Sequence, residues 1–489
     1  MKRWRWIIPA LLLIIMTLPA VALAATTLSL TPTSAPPTKP VTVKGTGFGA
    51  AEAVDIYFNE TDLMVAVTDG AGGFNKAIKV PASATPETHW ITAVGRASGK
   101  AAQKSFIVRT NWPMFHIGLQ HKGHNPYENV LSPGTVSGLD LAWNTVPIGS
   151  DVYSSPAIVN DILYIGGDTK FYAFNAKTGA FKWSPTVGGL IGSCPAVVSG
   201  KVYIGCYDYK LYAFNATTGA KLWDFPTGGI VASSPAVANG VVYFGSHDTK
   251  VYAVNANTGL AYWASPFLTG DAVQSSPAVV NGVVYIGSRD SKVYALNATT
   301  GLAYWASPFL TGGMVTSSPA VVAGVVYVTS RDFKLYALNA TTGVKIWDFT
   351  TGDVVHSSPA VAHGMVYFGS RDDKFYALNA TTGAKLWDFT TGGDVDSSPV
   401  VANGVVYFGS MDRRLYALNV ATGALLWSAT LADGIRETSP AVVNGMVYVG
   451  CFDGKVYAYS LEAGLPILAG ISRPDPRRLI PDYRLPITP

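Results

Sequence analysis

Residues 357–387 read Ser-Ser-Pro-Ala-Val-Ala-His-Gly-Met-Val-Tyr-Phe-Gly-Ser-Arg-Asp-Asp-Lys-Phe-Tyr-Ala-Leu-Asn-Ala-Thr-Thr-Gly-Ala-Lys-Leu-Trp. Three apolar runs of strand length are separated by turn-forming residues, and Trp387 sits in a fourth. The same pattern occurs eight times between Asp151 and Gly464, marked by Pro156, Pro195, Pro235, Pro277, Pro319, Pro359, Pro399 and Pro440. A period of about forty residues with four short strands per copy is the signature of propeller blades.

We label the strands of a copy A (Ser-Pro-Ala-Val), B (Val-Tyr-Phe-Gly), C (Tyr-Ala-Leu-Asn) and D (around Trp). The D-strand tryptophans are Trp143, Trp183, Trp223, Trp263, Trp305, Trp347, Trp387 and Trp427. The series therefore opens on a D strand and closes on a C strand. The strand around Trp143 is expected to pair with Val456–Ser460, closing the ring and removing a free sheet edge. The expected fold is all-β, an eight-bladed β-propeller over residues 137–464 preceded by an immunoglobulin-like β-sandwich over 25–109.

In the sandwich segment, strand patterns fall at Val41–Lys44, Ala53–Phe58, Met64–Thr68, Phe74–Val80, His89–Val94 and Lys104–Val108. The segment resembles bacterial and archaeal surface immunoglobulin-like modules. Asp55, Glu60, Asp62 and Asp69 lie near its turns, where they serve either as solvated turn residues or as calcium ligands. A linker over 110–136 follows, with His116, His121 and His124 in a Pro/Gly-rich stretch. No cysteine or nearby carboxylate completes a zinc set there, so the linker is expected to lie across one propeller face.

Lys2, Arg3 and Arg5, the apolar run Ile7–Leu18 and Ala22-Leu23-Ala24 together read as a secretory signal peptide over 1–24. No second apolar run reaches membrane-span length. An exported protein is expected, in the periplasm, on the cell surface or outside the cell. Losing the signal lowers the formal charge from +4 to about +1, which gives no reason to expect nucleic acid as a partner. Residues 465–489 are a Pro/Arg-rich tail.

Cys194 and Cys206 replace serines found in most other copies. They suggest a disulfide, against which the strand register argues by one residue. Cys451 has no obvious partner.

At Ala-Leu-Asn-Ala-Thr-Thr-Gly-Ala-Lys-Leu-Trp, residues 377–387, and at its cognates, the chain resembles the tryptophan-docking repeat of pyrroloquinoline quinone-type propellers. That superfamily includes quinoprotein alcohol dehydrogenases and a non-catalytic propeller of the outer-membrane assembly machine. For a dehydrogenase the resemblance would imply a disulfide between neighbouring cysteines, a calcium ion and a catalytic Asp. This chain has no adjacent cysteines and no long insertions, and nothing maps residue by residue onto that site. No catalytic residue, metal ligand or cofactor is therefore assigned, and the likeness is nearer to the non-catalytic propeller.

Function must then lie where the copies differ. The loop acids Asp168, Asp208, Asp248, Asp290, Asp332, Asp372, Asp412 and Asp453 recur in every copy and are expected to cap turns. Just before Ser-Ser-Pro, however, stand Tyr153, Gly192, Ala232, Gln274, Thr316, His356, Asp396 and Glu437. Just before the loop Asp stand Tyr207, His247, Arg289, Arg331, Arg371, Met411 and Phe452. Both sets belong to one face, around the mouth of the central channel. Arg289, Arg331 and Arg371 fall in consecutive copies beside His356. They are either solvated arginines paired to loop acids or an arc that binds carboxylate, phosphate or an acidic partner.

The reading that follows is a non-enzymatic, monomeric scaffold binding envelope or surface proteins or polymers, and also small anions, with Arg289, Arg331, Arg371, His356, Tyr153 and Gln274 as the candidate ligand- or partner-binding residues. The alternatives are a quinone- and calcium-dependent dehydrogenase, and a polysaccharide-binding or -cleaving propeller using exposed aromatics.

Overall fold

The computed structural model describes residues 25–461. The expected signal peptide, 1–24, and the whole Pro/Arg-rich tail, 465–489, lie outside them.

One repeat explains the rest. Ala360–Ala362, Met365–Gly369, Lys374–Asn379 and Lys385–Thr390 form an antiparallel sheet in the order A-B-C-D. The A–B turn places His363 at φ +51° and Gly364 at φ +74°, the left-handed pair of a tight hairpin. Four other copies put Asn-Gly here. At the C–D turn, Asn379 Oδ1 accepts the N–H groups of Thr381 and Thr382 at 2.9 and 3.0 Å. Trp387 then donates its indole N–H to the carbonyl of Val420 in the next sheet, at 3.1 Å. Its ring lies over Gly423, where an added Cβ would come within 2.7 Å of it. The Thr-Gly turn is thus the surface on which the preceding tryptophan docks.

Among the described residues there are eight such four-stranded sheets, one of them extended by a fifth strand. The A strand of each neighbours that of the next, and the eighth neighbours the first. The arrangement is that of a β-propeller. Ala441–Val443, Met446–Gly450 and Val456–Ser460 take Asp140–Asn144 as their outer strand, with Asp140 opposite Ser460 and Trp143 opposite Ala458. Both ends of the repeat array therefore share one sheet, as the strand count requires. Trp427 completes the circle by donating to the Leu139 carbonyl at 2.9 Å.

Two D strands shrink to Phe267–Leu268 and Phe309–Leu310. There two extra residues follow the tryptophan, and Pro266 and Pro308 stand where other copies have the Asp of Asp-Phe; proline has no N–H for the ladder. The hydrophobic core is built between sheets: Tyr243, Val251 and Trp263 pack on Val284, Ile286 and Leu296 of the next sheet.

Residues 27–108 form two further sheets. Thr27–Thr31, Pro40–Thr46 and Phe74–Lys79 make one; Ser34–Ala35, Ala53–Phe58, Thr61–Val67, Thr88–Gly95 and Ala101–Val108 make the other. Val41, Val43 and Phe74 from the first share a core with Val54, Ile56, Ile91 and Phe106 from the second. Asp55 is tied to Arg96 at 2.7 Å. Asp69 Oδ1 caps its turn through the N–H groups of Ala71 and Gly73, at 2.9 and 2.8 Å.

The linker does more than cross a face. It runs along the inner strands of the ring, offering backbone carbonyls to one A strand after another. Pro113, Leu119, Gln120, Lys122 and Gly123 accept the N–H groups of Val197, Val279, Val321, Val361 and Val401, at 2.7–2.9 Å. Trp112 pairs with Ile158, and His124–Asn125 adds a parallel strand beside Val401–Ala402.

Candidate functional site

The Ser-Ser-Pro element explains how the channel is walled. The first serine secures its own sheet at Ser193, whose Oγ accepts the Gly205 N–H at 2.8 Å and donates to the Gly205 carbonyl at 2.9 Å, whereas the hydroxyls of Ser233, Ser357 and Ser397 donate to carbonyls of the next sheet. The second serine binds one sheet to the next. The N–H groups of Ser234, Ser276, Ser318 and Ser358 donate to the Oγ atoms of Ser276, Ser318, Ser358 and Ser398, at 2.9–3.0 Å. Ser439 N–H donates to Ser155 Oγ at 2.7 Å. A belt of serines therefore runs around the channel, and these bonds join neighbouring sheets.

Cys194 is a member of this belt. Its Sγ accepts the Ser155 N–H at 3.3 Å, and its own N–H donates to Ser234 Oγ at 2.9 Å. Cys206 turns instead toward the Gly189 carbonyl, at 3.3 Å. The two thiols are free, because one side chain faces the channel while the other is held under a loop. Burial raises the pKa of both, that of Cys206 to about 12.

Above the belt, a cavity gathers all eight residues that precede Ser-Ser-Pro, from Tyr153 round to Glu437. Phe115 of the linker also lines it. The repeat thus collects its variable positions in one place. The second variable set stands around the same mouth. Tyr207 fills the space left by Gly192, its ring 3.1 Å from where a Cβ would be. Phe452 meets Tyr153 edge-on at 4.9 Å, and Arg436 lies 5.1 Å from the Phe452 ring.

The loop aspartates cap, as their recurrence implies. Asp290 Oδ2 accepts the Tyr294 hydroxyl at 2.5 Å and the Gly270 N–H at 2.8 Å. Asp208, Asp248, Asp332 and Asp372 repeat the arrangement.

The three arginines differ in their partners. Arg371 makes a two-pronged contact with buried Asp396, Nε and Nη2 at 3.0 and 2.9 Å, and has Asp394 at 3.6 Å. Arg289 donates to Gln274 Oε1 at 2.7 Å. Among the described residues the Arg331 guanidinium has only the Met314 sulfur, at 4.0 Å. Arg289 and Arg331 thus have no carboxylate within ion-pair distance among the described residues, and their Nε atoms are buried without an acceptor. Burial, then the charges of Arg289 and Arg371, lower the pKa of Arg331. Burial also holds His356 down to about 4, despite the nearby Asp396. On the opposite side Glu437 is accessible from the cavity yet largely enclosed by protein. Burial and Asp396 raise its pKa.

The linker histidines do not converge on a metal. His116 stacks on Phe115 at 4.1 Å, with both ring nitrogens buried and unpartnered among the described residues. His121 Nδ1 lies 3.2 Å from the Pro319 carbonyl, and His124 faces His363. Burial lowers their pKa values, to about 3 for His116 and about 4 for His121 and His124. No group of three or more metal-binding side chains occurs among the described residues.

The family model described as outer membrane protein assembly factor BamB matches residues 89–272, 263–353 and 334–468. The chain belongs to this family. BamB from Moraxella catarrhalis superposes with a TM-score of 0.58 at 20% identity, covering 66% of this chain and 99% of that one. A europium-containing methanol dehydrogenase gives a TM-score of 0.61 at 16% identity, over 72% and 98% of the two chains. The quinohemoprotein alcohol dehydrogenase of Comamonas testosteroni gives 0.63 at 17% identity, over 73% and 81%. These likenesses show the fold alone, one found both in an assembly factor and in dehydrogenases. No curated protein matches the sequence. No helix among the described residues is long and apolar enough to cross a membrane.

Proposed function

We propose that this protein is an exported, non-enzymatic, eight-bladed propeller scaffold that binds envelope proteins or surface polymers at its channel mouth, with the immunoglobulin-like sandwich as a spacer. One observation carries this reading. The recurrent serines and aspartates make hydrogen bonds that hold strands and neighbouring sheets together, and every position that varies before Ser-Ser-Pro faces one cavity. The quinone-and-calcium set does not fit the residues present: the three cysteines are dispersed, and Asp396 is engaged by Arg371. Membership of the assembly-factor family supports the same choice.

The test is capture from the native envelope with the parent protein and with an Arg289→Gln/Arg331→Gln/Tyr153→Ala variant. The scaffold reading expects partners to be lost from the variant. Retention at parental levels would remove this face from consideration.

A second reading rests on the dehydrogenase neighbours. Titration with pyrroloquinoline quinone and calcium, followed by absorbance and dye reduction, tests it. Saturable binding with alcohol-dependent reduction would replace the scaffold reading.

A further inference from the structure

The mouth holds opposite charges that feel each other's field, as Arg331 and Glu437 do, but form no ion pair with each other among the described residues. Arg289 and Arg331 come from the fourth and fifth sheets of the ring, and neither has a carboxylate partner among the described residues. Glu437 comes from the eighth and makes no ion pair among the described residues. Its neighbour Arg436 is turned over the Phe452 ring instead. Between the acidic and basic sides, the aromatic pair Tyr153–Phe452 and Tyr207 line the first, second and eighth sheets. An unpaired charge in a partly enclosed site is costly, and a single molecule carrying both signs would relieve both sides.

We infer that the mouth binds a small zwitterion of the amino-acid type, its carboxylate on Arg289 and Arg331, its ammonium on Glu437, and its apolar chain against Tyr153 and Tyr207. Each assignment follows from chemistry. A guanidinium pair presents several N–H donors to a carboxylate. A carboxylate flanked by aromatic rings suits an ammonium group through charge and cation–π attraction. Arg371 takes no part, because Asp396 already occupies it. The inference rests on the mouth being the binding face and adds what that face selects.

Calorimetric titration of the full chain at low salt with 4-aminobutanoate and 6-aminohexanoate tests it, with hexanoate and hexylamine as single-charge controls. Saturable binding of at least one zwitterion is expected, with each control weaker by about tenfold or more. Glu437→Gln should reduce zwitterion affinity about tenfold and leave hexanoate unchanged. Arg331→Gln should weaken both. Unchanged melting curves will establish that these variants fold, and Arg331→Lys should retain part of the affinity.

Hexanoate binding as tightly as either zwitterion would reduce the mouth to an anion site and overturn the inference. So would the failure of every probe to bind the folded parent. Loss of envelope partners from the Arg289→Gln/Arg331→Gln/Tyr153→Ala variant would still uphold the scaffold reading in those cases. Retained partners together with no probe binding would refute both.

Discussion

Single residues carry the repeat's closure, and the cost of changing them depends on what faces them. Gly343 and Gly324 both have positive φ, +73° and +80°. A Cβ on Gly343 would lie 2.8 Å from the Trp305 ring, whereas one on Gly324 would meet open space. Gly324→Ala is expected to cost about 1 kcal/mol from backbone strain. Gly343→Ala should cost about 2–4 kcal/mol, because it also displaces a docked indole. Denaturant melts of the two variants compare them, and equal losses would show that docking contributes little.

His116 gives a residue-scale prediction with a sign. Its pKa in the folded chain is held near 3, chiefly by burial and next by His121, against about 6.5 when unfolded. Below pH 6.5 the unfolded chain takes up a proton that the folded chain refuses. This contribution to stability is therefore whole above 6.5 and falls as pH drops toward 3, by on the order of 3 kcal/mol at pH 4. His116→Phe keeps the stack on Phe115 and cannot titrate. Its melting temperature should fall less than the parent's between pH 6.5 and 4, and parallel pH profiles would contradict the assignment.

At the scale of elements, the D strand around Trp143 differs from its seven counterparts, because only the ring connects it to the rest of its sheet. Trp143 donates to the Ala176 carbonyl at 3.0 Å and covers Gly179. Trp143→Ala and Trp305→Ala should each lose about 3–5 kcal/mol. Only Trp143→Ala should release a closing strand and expose the Val456–Ser460 edge to another chain. Sedimentation should therefore find concentration-dependent association in Trp143→Ala alone; the same behaviour in both would mean that closure has no special weight.

This closure was legible from the order of strands, since a series that opens on D and ends on C has one way to pair. The turn role of the loop aspartates was legible too, because an acid repeated in every copy must do something every copy needs. Other features left no signal. The pairing of Arg371 with Asp396 joins adjacent sheets and depends on how closely the ring sets them. The outer strand Thr27–Thr31 alternates buried leucines with exposed serine and threonine over only five residues, a pattern too short to stand out. The free thiols of Cys194 and Cys206 reflect side-chain directions that strand spacing alone left open.

At the scale of the whole molecule, the linker is the element whose role sequence reasoning did not reach. Most of its hydrogen bonds to the ring are made by backbone groups, which any residue can offer, so they impose little side-chain pattern. Through Trp112, Pro113, Leu119, Gln120, Lys122, Gly123 and the Asn125 side chain, it hydrogen-bonds the innermost strands of seven of the eight sheets. The sandwich is held far more sparingly, through contacts such as those of Asn129 with the Ala82 and Ala84 carbonyls and Arg109 near Asp161 at 3.7 Å. Two deletions separate these roles. Removing 25–109 should leave the melting temperature within a few degrees of the parent, because few contacts are lost and the ring keeps its inner segment. Removing 25–125 takes away the same sandwich plus the segment that satisfies the A-strand N–H groups. At about 1 kcal/mol for each hydrogen bond lost, the ring should lose several kcal/mol, a fall on the order of 10 °C in a protein of this size. Calorimetry of both fragments decides the matter. If the shorter one melts as high as the longer, water serves those N–H groups as well as the linker does, and the segment is a tether rather than part of the ring's core.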